Sequence, residues 1–231
     1  MMRLNVIMLG APGAGKGTQA SRLSRARAIP QISTGDMLRD GIKNSFPVAL
    51  RAKEKMDRGE LVDDDTIVAI VGERLGRPDT ASGFILDGFP RTVPQARALD
   101  GVVEERGNDP LIVVDVEVPE EELVGRLASR RICSTCGTNA EPGDTGEACR
   151  KCGGPLTHRA DDNEAVVRER LRVYAQNTRP LIDFYRDRQT FRAVNGAQSP
   201  DRVARDIDAA VDDAAAAGAG MSLGAQRHVT R

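Results

Sequence analysis

Short, nearly continuous apolar runs alternate along the chain with segments of helical periodicity. The runs at 4–9, 84–87 and 111–116 are typical of strands buried on both faces of a sheet. Shorter strand candidates lie at 31–33 and 191–194, and helical patterns fill the intervals, the longest predicted helix covering 163–188. Strands that alternate with helices predict an α/β fold, a parallel five-stranded sheet wrapped by helices.

Two stretches depart from this alternation. Residues 133–158 are rich in Gly, Cys, Thr and Pro and have almost no apolar periodicity, so they cannot form a hydrophobic core of their own. They predict an insertion that is held together in another way. From Asp212 to Arg231 the chain is rich in Ala and Gly and ends in a polar stretch, which predicts a disordered tail without an assigned function.

Charge and composition exclude several classes of protein. The 33 basic and 34 acidic residues give a net charge of −1, so no global basic field attracts nucleic acid or a membrane surface. Trp is absent and aromatics make up 3% of the chain, too few to stack a row of bases. No apolar run reaches membrane-spanning length, and no signal peptidase site follows the first run, so we expect a cytoplasmic protein without a membrane partner.

A glycine-rich segment, Gly10-Ala11-Pro12-Gly13-Ala14-Gly15-Lys16-Gly17-Thr18, separates the first predicted strand from the first predicted helix. Glycines there let backbone N–H groups turn toward one anion, and the helix N-terminus adds partial positive charge. Lys16 supplies a full charge near the β- and γ-phosphates of a nucleotide. An ordinary tight turn is the alternative, but the Gly-Lys pair opening a helix favours a phosphate-binding P-loop. Gly17 departs from the general P-loop pattern, in which Ser or Thr follows the lysine.

All four cysteines form two Cys-x-x-Cys pairs, Cys133 with Cys136 and Cys149 with Cys152. Each pair presents two thiolates from one tight turn, which suits a tetrahedral zinc ion, and a reducing compartment favours metal over disulfides. Four unliganded thiols are the alternative. The site would have no open position, so zinc would stabilise the insertion and take no part in chemistry. The spacer, residues 137–148, is shorter than in most four-cysteine ribbons.

The P-loop variant with Pro12 and the ending Gly-Lys-Gly-Thr resembles that of nucleoside monophosphate kinases. Three further segments, Ser33-Thr34-Gly35-Asp36-Met37-Leu38-Arg39, Gly59-Glu60-Leu61-Val62 and Asp87-Gly88-Phe89-Pro90-Arg91-Thr92, resemble adenylate kinases in order and spacing. Gly125-Arg126-Leu127-Ala128-Ser129-Arg130-Arg131-Ile132-Cys133 and Arg159-Ala160-Asp161-Asp162 resemble the entrance and the exit of the lid in the long form of that family. The resemblance covers residues 4–210.

The resemblance implies a P-loop NTPase-type core at 1–32, 63–128 and 163–211, a small helical AMP-binding insertion at 33–62, and a zinc-ribbon-like lid at 129–162. It implies reversible phosphoryl transfer between ATP and AMP to give two ADP, with Mg2+ bound to ATP, structural Zn2+ in the lid and a monomeric enzyme. Gln95 would read the adenine of AMP, and Asp87 would organise the magnesium ion through water. The aspartates Asp161 and Asp162 would orient arginines as the lid closes.

The residue roles that the resemblance implies fall into three groups. The catalytic group surrounds the transferring phosphoryl group with charge: Lys16, Arg39, Arg91, Arg130, Arg159, Arg170 and Asp87. The ATP-binding group comprises Gly13, Ala14, Gly15, Lys16, Gly17, Thr18, Arg126, Arg130 and Gln198. The AMP-binding group comprises Thr34, Arg39, Glu60, Leu61, Val62, Gly88, Phe89, Pro90, Arg91, Gln95, Arg159 and Arg170.

Other functions remain as alternatives. A kinase for another monophosphate, such as UMP, CMP or GMP, is disfavoured by Gln95 and Thr34. A nucleic-acid-binding zinc ribbon fused to a P-loop ATPase is disfavoured by the near-neutral charge and the scarce aromatics. A catalytically inactive relative is disfavoured because each charged position that the family pattern expects is present.

Overall fold

The structure is a computed structural model and describes residues 3–107, 109–140, 146–159 and 162–225, with side chains up to residue 219. A five-stranded sheet lies at its centre. Its strands are β1 (Leu4–Leu9), β2 (Gln31–Ser33), β3 (Gly83–Asp87), β4 (Leu111–Glu117) and β7 (Phe191–Asn195). They lie in the order β2-β3-β1-β4-β7, and all neighbouring strands are parallel. The predicted parallel five-stranded sheet is therefore confirmed.

Helices cover both faces of this sheet. They are α1 (Lys16–Arg27), α2 (Thr34–Lys43), α3 (Pro47–Asp57), α4 (Asp64–Leu75), α5 (Val93–Glu105), α6 (Glu120–Ala128), α7 (Glu164–Val173), α8 (Pro180–Tyr185) and α9 (Pro200–Ala225). Helices α4, α5 and α8 pack on one face, and α1 and α9 pack on the other. The neighbours Val6 and Ile7 of β1 point to opposite faces and are both fully buried, which explains why the strand lacks polar alternation.

The C-terminal prediction is wrong over much of its length. Helix α9 continues to Ala225, whereas the sequence predicted a disordered tail from Asp212. Val211 and Ala214 are fully buried, and Gly218 lies so close to Pro110 that a Cβ on the glycine would come within 2.6 Å of the Pro110 Cβ. Alanine has the highest helix propensity, and small residues allow this close packing. Residues 226–231 lie outside the described part of the chain.

The helix predicted at 163–188 is divided into two. A π-helical turn, Tyr174–Thr178, separates α7 from α8. Within it, the Thr178 hydroxyl donates a hydrogen bond to the Arg91 carbonyl, 3.0 Å away. The irregular turn therefore joins the helix that follows the lid to the loop after β3.

Two smaller units project from the carboxyl-end edge of the sheet. Helices α2 and α3 follow β2, and the antiparallel strands β5 (Arg131–Cys133) and β6 (Leu156–His158) follow α6. The boundaries predicted for these insertions, 33–62 and 129–162, remain predictions. Among the described helices, none combines the length and the apolar character that crossing a membrane requires.

Candidate active site

The P-loop connects the carboxyl end of β1 to α1, as the sequence predicts. The Lys16 ammonium donates hydrogen bonds to the carbonyl oxygens of Gly10, 2.7 Å away, and Ala11, 2.9 Å away. These bonds hold the lysine side chain back across its own loop. Because β1 is the central strand, the loop opens at the edge of the sheet where the carboxyl ends of β3 and β4 also lie.

Burial shapes the charge of this loop. Burial, together with the nearby Arg91, Arg170 and Arg130, lowers the pKa of Lys16 to about 8, although Asp87 opposes the shift. Burial also raises the pKa of Asp87, against the effect of Lys16. The three arginines and Lys16 repel one another, and the carboxylate of Asp87 balances only part of their positive charge. This excess of positive charge favours a polyanionic ligand.

Gly17 stands where the general P-loop has Ser or Thr, and the structure gives a physical reason. A Cβ at this position would lie 3.0 Å from Oδ2 of Asp87, at the end of β3. Glycine therefore lets the carboxylate approach the start of α1. Thr18, one residue later, lines the same cavity.

The predicted ATP-binding residues surround one large cavity of about 780 Å³. Its wall includes the complete predicted ATP group together with the six predicted catalytic cations, namely Lys16, Arg39, Arg91, Arg130, Arg159 and Arg170. At one end Arg126 donates a hydrogen bond to the Gly196 carbonyl, 3.0 Å away. Gln198 lines the same end and donates hydrogen bonds to the Asn195 carbonyl and to Asp206.

A second cavity, of about 70 Å³, adjoins the first and contains most of the predicted AMP group. Its wall includes Thr34, Arg39, Glu60, Leu61, Val62, Gly88, Arg91, Gln95 and Arg170. Pro90 and Arg159 line the large cavity instead. Phe89 lines neither of the two and is 2% exposed within the core, so its side chain supports the fold. The Thr34 hydroxyl donates to the Gly88 carbonyl at 2.9 Å and fixes the two predicted AMP segments together.

Buried or half-buried carboxylates hold the lid arginines in place. The side chain of Asp162 is 1% exposed and accepts hydrogen bonds from Arg130 Nε at 2.8 Å and from Arg170 at 3.0 Å. Arg159, also well buried, donates to Asn139 Oδ1 at 3.2 Å and lies 3.9 Å from Asp36 of α2. The arginines of the lid, of α7 and of α2 therefore converge on one region. Asp161 lies outside the described residues.

Sequence reasoning missed several of these partners. Asp36 pairs with Arg39 at a spacing of three residues on α2, a signal that was available in the sequence. Asn139 contacts Arg159, which is 20 positions away, and Asp64 contacts Gln95, which is 31 positions away. No local sequence pattern predicts either Asn139 or Asp64 as a partner.

The four cysteine sulfurs form one cluster in which all ligand atoms lie within 4.8 Å of one another. The Sγ atoms of Cys133 and Cys152 are 3.5 Å apart, and those of Cys136 and Cys149 are 3.7 Å apart. A tetrahedral zinc ion with Zn–S bonds of about 2.3 Å requires sulfurs separated by about 3.8 Å. The donor set thus fits a zinc ion, and the four thiols are free of disulfides.

Two matching turns build this cluster. The Gly137 N–H donates to the Cys133 carbonyl at 2.9 Å, and the Gly153 N–H donates to the Cys149 carbonyl at 2.8 Å. Both glycines have left-handed φ values, 69° and 74°. Backbone N–H groups also point at Cys133 Sγ and Cys149 Sγ, each at 3.4 Å. The paired turns favour thiolates that are oriented toward one ion.

Comparison with known proteins gives one family. The family model described as "Adenylate kinase" matches residues 8–190. An adenylate kinase of Archaeoglobus fulgidus is 49% identical over 213 residues, covering 90% of this chain and 98% of the relative. Adenylate kinases of Syntrophobacter fumaroxidans and Bacillus subtilis are 50% and 47% identical, covering 87% and 88% of this chain and 96% of each relative.

Proposed function

Since this chain belongs to the adenylate kinase family, we propose how its residues carry out the reaction of that family. The chain transfers a phosphoryl group reversibly between ATP and AMP to give two ADP. The observation that carries the assignment of roles is a pair of adjoining cavities, one beginning at the P-loop and one at the Thr34–Arg39 segment. Six cations line the large cavity, and three of them line the small one as well. ATP binds in the large cavity, and AMP binds at the small cavity and along the wall that the two cavities share.

Charge compensation and positioning account for the catalysis. The acceptor is already a phosphate anion, so no side chain has to act as a general base. Lys16, Arg130 and Arg159 stabilise the charge that spreads over the oxygens of the moving phosphoryl group. Arg39, Arg91 and Arg170, which line both cavities, hold the phosphate of AMP in line with it. Asp162 keeps Arg130 and Arg170 at a fixed separation before substrate arrives.

Magnesium would be held beside the P-loop. The fit rests on Asp87, whose Oδ2 lies next to Gly17 at the start of α1, and on Thr18, which lines the same cavity. Both are the hard oxygen groups that magnesium prefers. When bound with ATP, the ion neutralises part of the charge on the phosphates. The residues of the chain orient the nucleotide, and the lid excludes water so that ATP is not hydrolysed.

Zinc in the four-cysteine cluster has a structural role. Among the described residues of the segment 133–158, few side chains besides those of Cys133 and Cys149 are buried, so metal binding supplies much of the free energy that orders it. The cluster geometry supports this role, and a monomeric cytoplasmic enzyme is the expected setting. Elemental analysis and sedimentation of the purified chain test the metal and the monomer.

The decisive experiment measures ADP formation from ATP with each nucleoside monophosphate as acceptor. We expect AMP to be preferred over UMP, CMP and GMP. The variant Arg91→Ala should lower kcat/KM by about 100-fold or more, the effect of removing one charged donor from a phosphoryl-transfer site. The matched control is Arg97→Ala, because Arg97 is exposed on α5. Equal activity in the two variants would remove Arg91 from the catalytic group, and a preference for another acceptor would refute the assignment of the small cavity to AMP.

A further inference from the structure

A closed hydrogen-bond network surrounds the amide of Gln95, the residue proposed to read the base of AMP. Gln95 is 2% exposed and belongs to the wall of the small cavity. Its Nε2 donates to Asp64 Oδ1 at 2.7 Å, and its Oε1 accepts from the backbone N–H of Arg91 at 2.7 Å. Asp64 Oδ2 accepts a further hydrogen bond from the Thr92 hydroxyl at 2.9 Å. Both oxygens of the carboxylate are therefore engaged.

Only one orientation of the Gln95 amide satisfies both neighbours. A carboxylate accepts hydrogen bonds and a backbone N–H donates them. Rotating the amide by half a turn would place Oε1 against the Asp64 carboxylate and the NH2 group against the N–H of Arg91. Two hydrogen bonds would then be replaced by two repulsive contacts inside the protein, where unpaired polar groups are costly. The chain thus fixes which end of the amide is oxygen and which is nitrogen.

A fixed amide discriminates between purines. After these contacts the amide keeps one N–H and one oxygen lone pair without a partner among the described residues. Adenine presents an acceptor at N1 and a donor at its 6-amino group, so one amide orientation satisfies both. A 6-oxopurine presents the reverse order, a donor at N1 and an acceptor at O6, and would require the rotated amide.

We propose that Asp64, held by Thr92, is the specificity-determining residue that locks the Gln95 amide in the orientation that accepts a 6-aminopurine monophosphate and rejects a 6-oxopurine monophosphate. Asp64 does not have to touch the substrate, so it is a positioning residue. Without the lock, Gln95 could rotate and bind either edge. The inference rests on the proposed role of Gln95 in reading the base.

The test compares AMP with IMP, because IMP differs from AMP only in the hydrogen-bonding order at positions 1 and 6. The variant is Asp64→Asn, whose side-chain amide can accept or donate and so tolerates either orientation of Gln95. The matched control is Asp65→Asn, since Asp65 is an exposed carboxylate in the same first turn of α4 and its replacement changes the same helix-terminal charge. The readout is the ratio of kcat/KM for AMP to kcat/KM for IMP, with ATP as donor. A ratio taken on one preparation is unaffected by the fraction of active enzyme.

We expect Asp64→Asn to lower this ratio by about tenfold or more, chiefly through a gain with IMP, and Asp65→Asn to leave it unchanged. An Asp64→Asn variant that loses activity equally with both acceptors would overturn the proposal, because it would show a purely structural role. The variant Gln95→Ala distinguishes the role of Gln95 from that of Asp64. If the AMP-to-IMP ratio is unchanged in Gln95→Ala, Gln95 does not read the base, and the proposed role of Asp64 is refuted as well. If the ratio is lower in Gln95→Ala but unchanged in Asp64→Asn, only the role of Asp64 is refuted.

Discussion

Asp115 is a buried carboxyl group whose charge costs stability. It lies on β4 beside Leu9, is 1% exposed, and its Oδ2 has no hydrogen-bond partner among the described residues. Burial and the nearby Glu117 raise its pKa from 3.8 to about 6, and the charge of Lys16 only partly opposes them. Tyr174 also interacts with this carboxyl group, and it stays neutral near pH 7 because burial raises its pKa to about 12.

The magnitude follows from linkage. A carboxyl whose pKa is higher in the folded protein than in the unfolded chain stabilises the fold fully below the unfolded pKa, and this stability is lost as pH rises through the folded pKa. A shift of about 2 units corresponds to about 3 kcal/mol, lost between pH 4 and pH 6. The variant Asp115→Asn removes the ionisation with little change in shape. It should match the wild type near pH 4 and gain up to about 3 kcal/mol over it at pH 7.

Denaturant unfolding at half-unit intervals from pH 4 to pH 7.5 measures the effect, with the slope m checked for constancy. The quantity of interest is the difference in free energy of unfolding between variant and wild type at each pH, since contributions of other groups cancel in it. Asp187→Asn, at an exposed position, is the control and should give a difference that does not vary. A difference for Asp115→Asn that is constant within about 0.5 kcal/mol over this range would show that the Asp115 charge does not destabilise the fold.

Two further predictions concern the active site and the lid. Because the pKa of Lys16 is lowered to about 8, kcat/KM for ATP should fall above pH 8 as Lys16 of the free enzyme loses its charge. Lys16→Arg, although less active, should show a flat pH profile between pH 7 and 9. An equally flat wild-type profile would contradict the role of the Lys16 charge in this pH dependence. The purified chain should contain one zinc ion, and the double variant Cys136→Ser/Cys149→Ser should contain no zinc and have a lower Tm. The control Ser134→Ala, in the same turn as Cys136, should keep its zinc. An unchanged zinc content in the double variant would rule out the cluster as the metal site.

Features that depend on residues close together along the chain could be predicted from the amino-acid sequence alone. The strand 4–9, the glycine-rich turn and the helix after Lys16 are contiguous, and the backbone geometry of such a turn leaves few alternatives to an anion site. The two Cys-x-x-Cys pairs are local as well, and their convergence is confirmed to within 4.8 Å. The order of the AMP segments, read as a resemblance, was sufficient to identify the family, which the comparisons confirm.

Several residues that hold these groups in place could be identified only from contacts in the folded protein. The stretch after Asp212 has a composition that suits either a disordered tail or a helix, and α9 forms because Val211, Ala214 and Gly218 find a surface to pack against. Asp64 contacts Gln95 across 31 positions of the chain, and Asn139 contacts Arg159 across 20 positions. Such pairs carry no periodic or spacing signal. They form because two polar groups are buried at a junction that exists only once the sheet and its helices have assembled, where the hydrogen bond between them offsets the cost of desolvation.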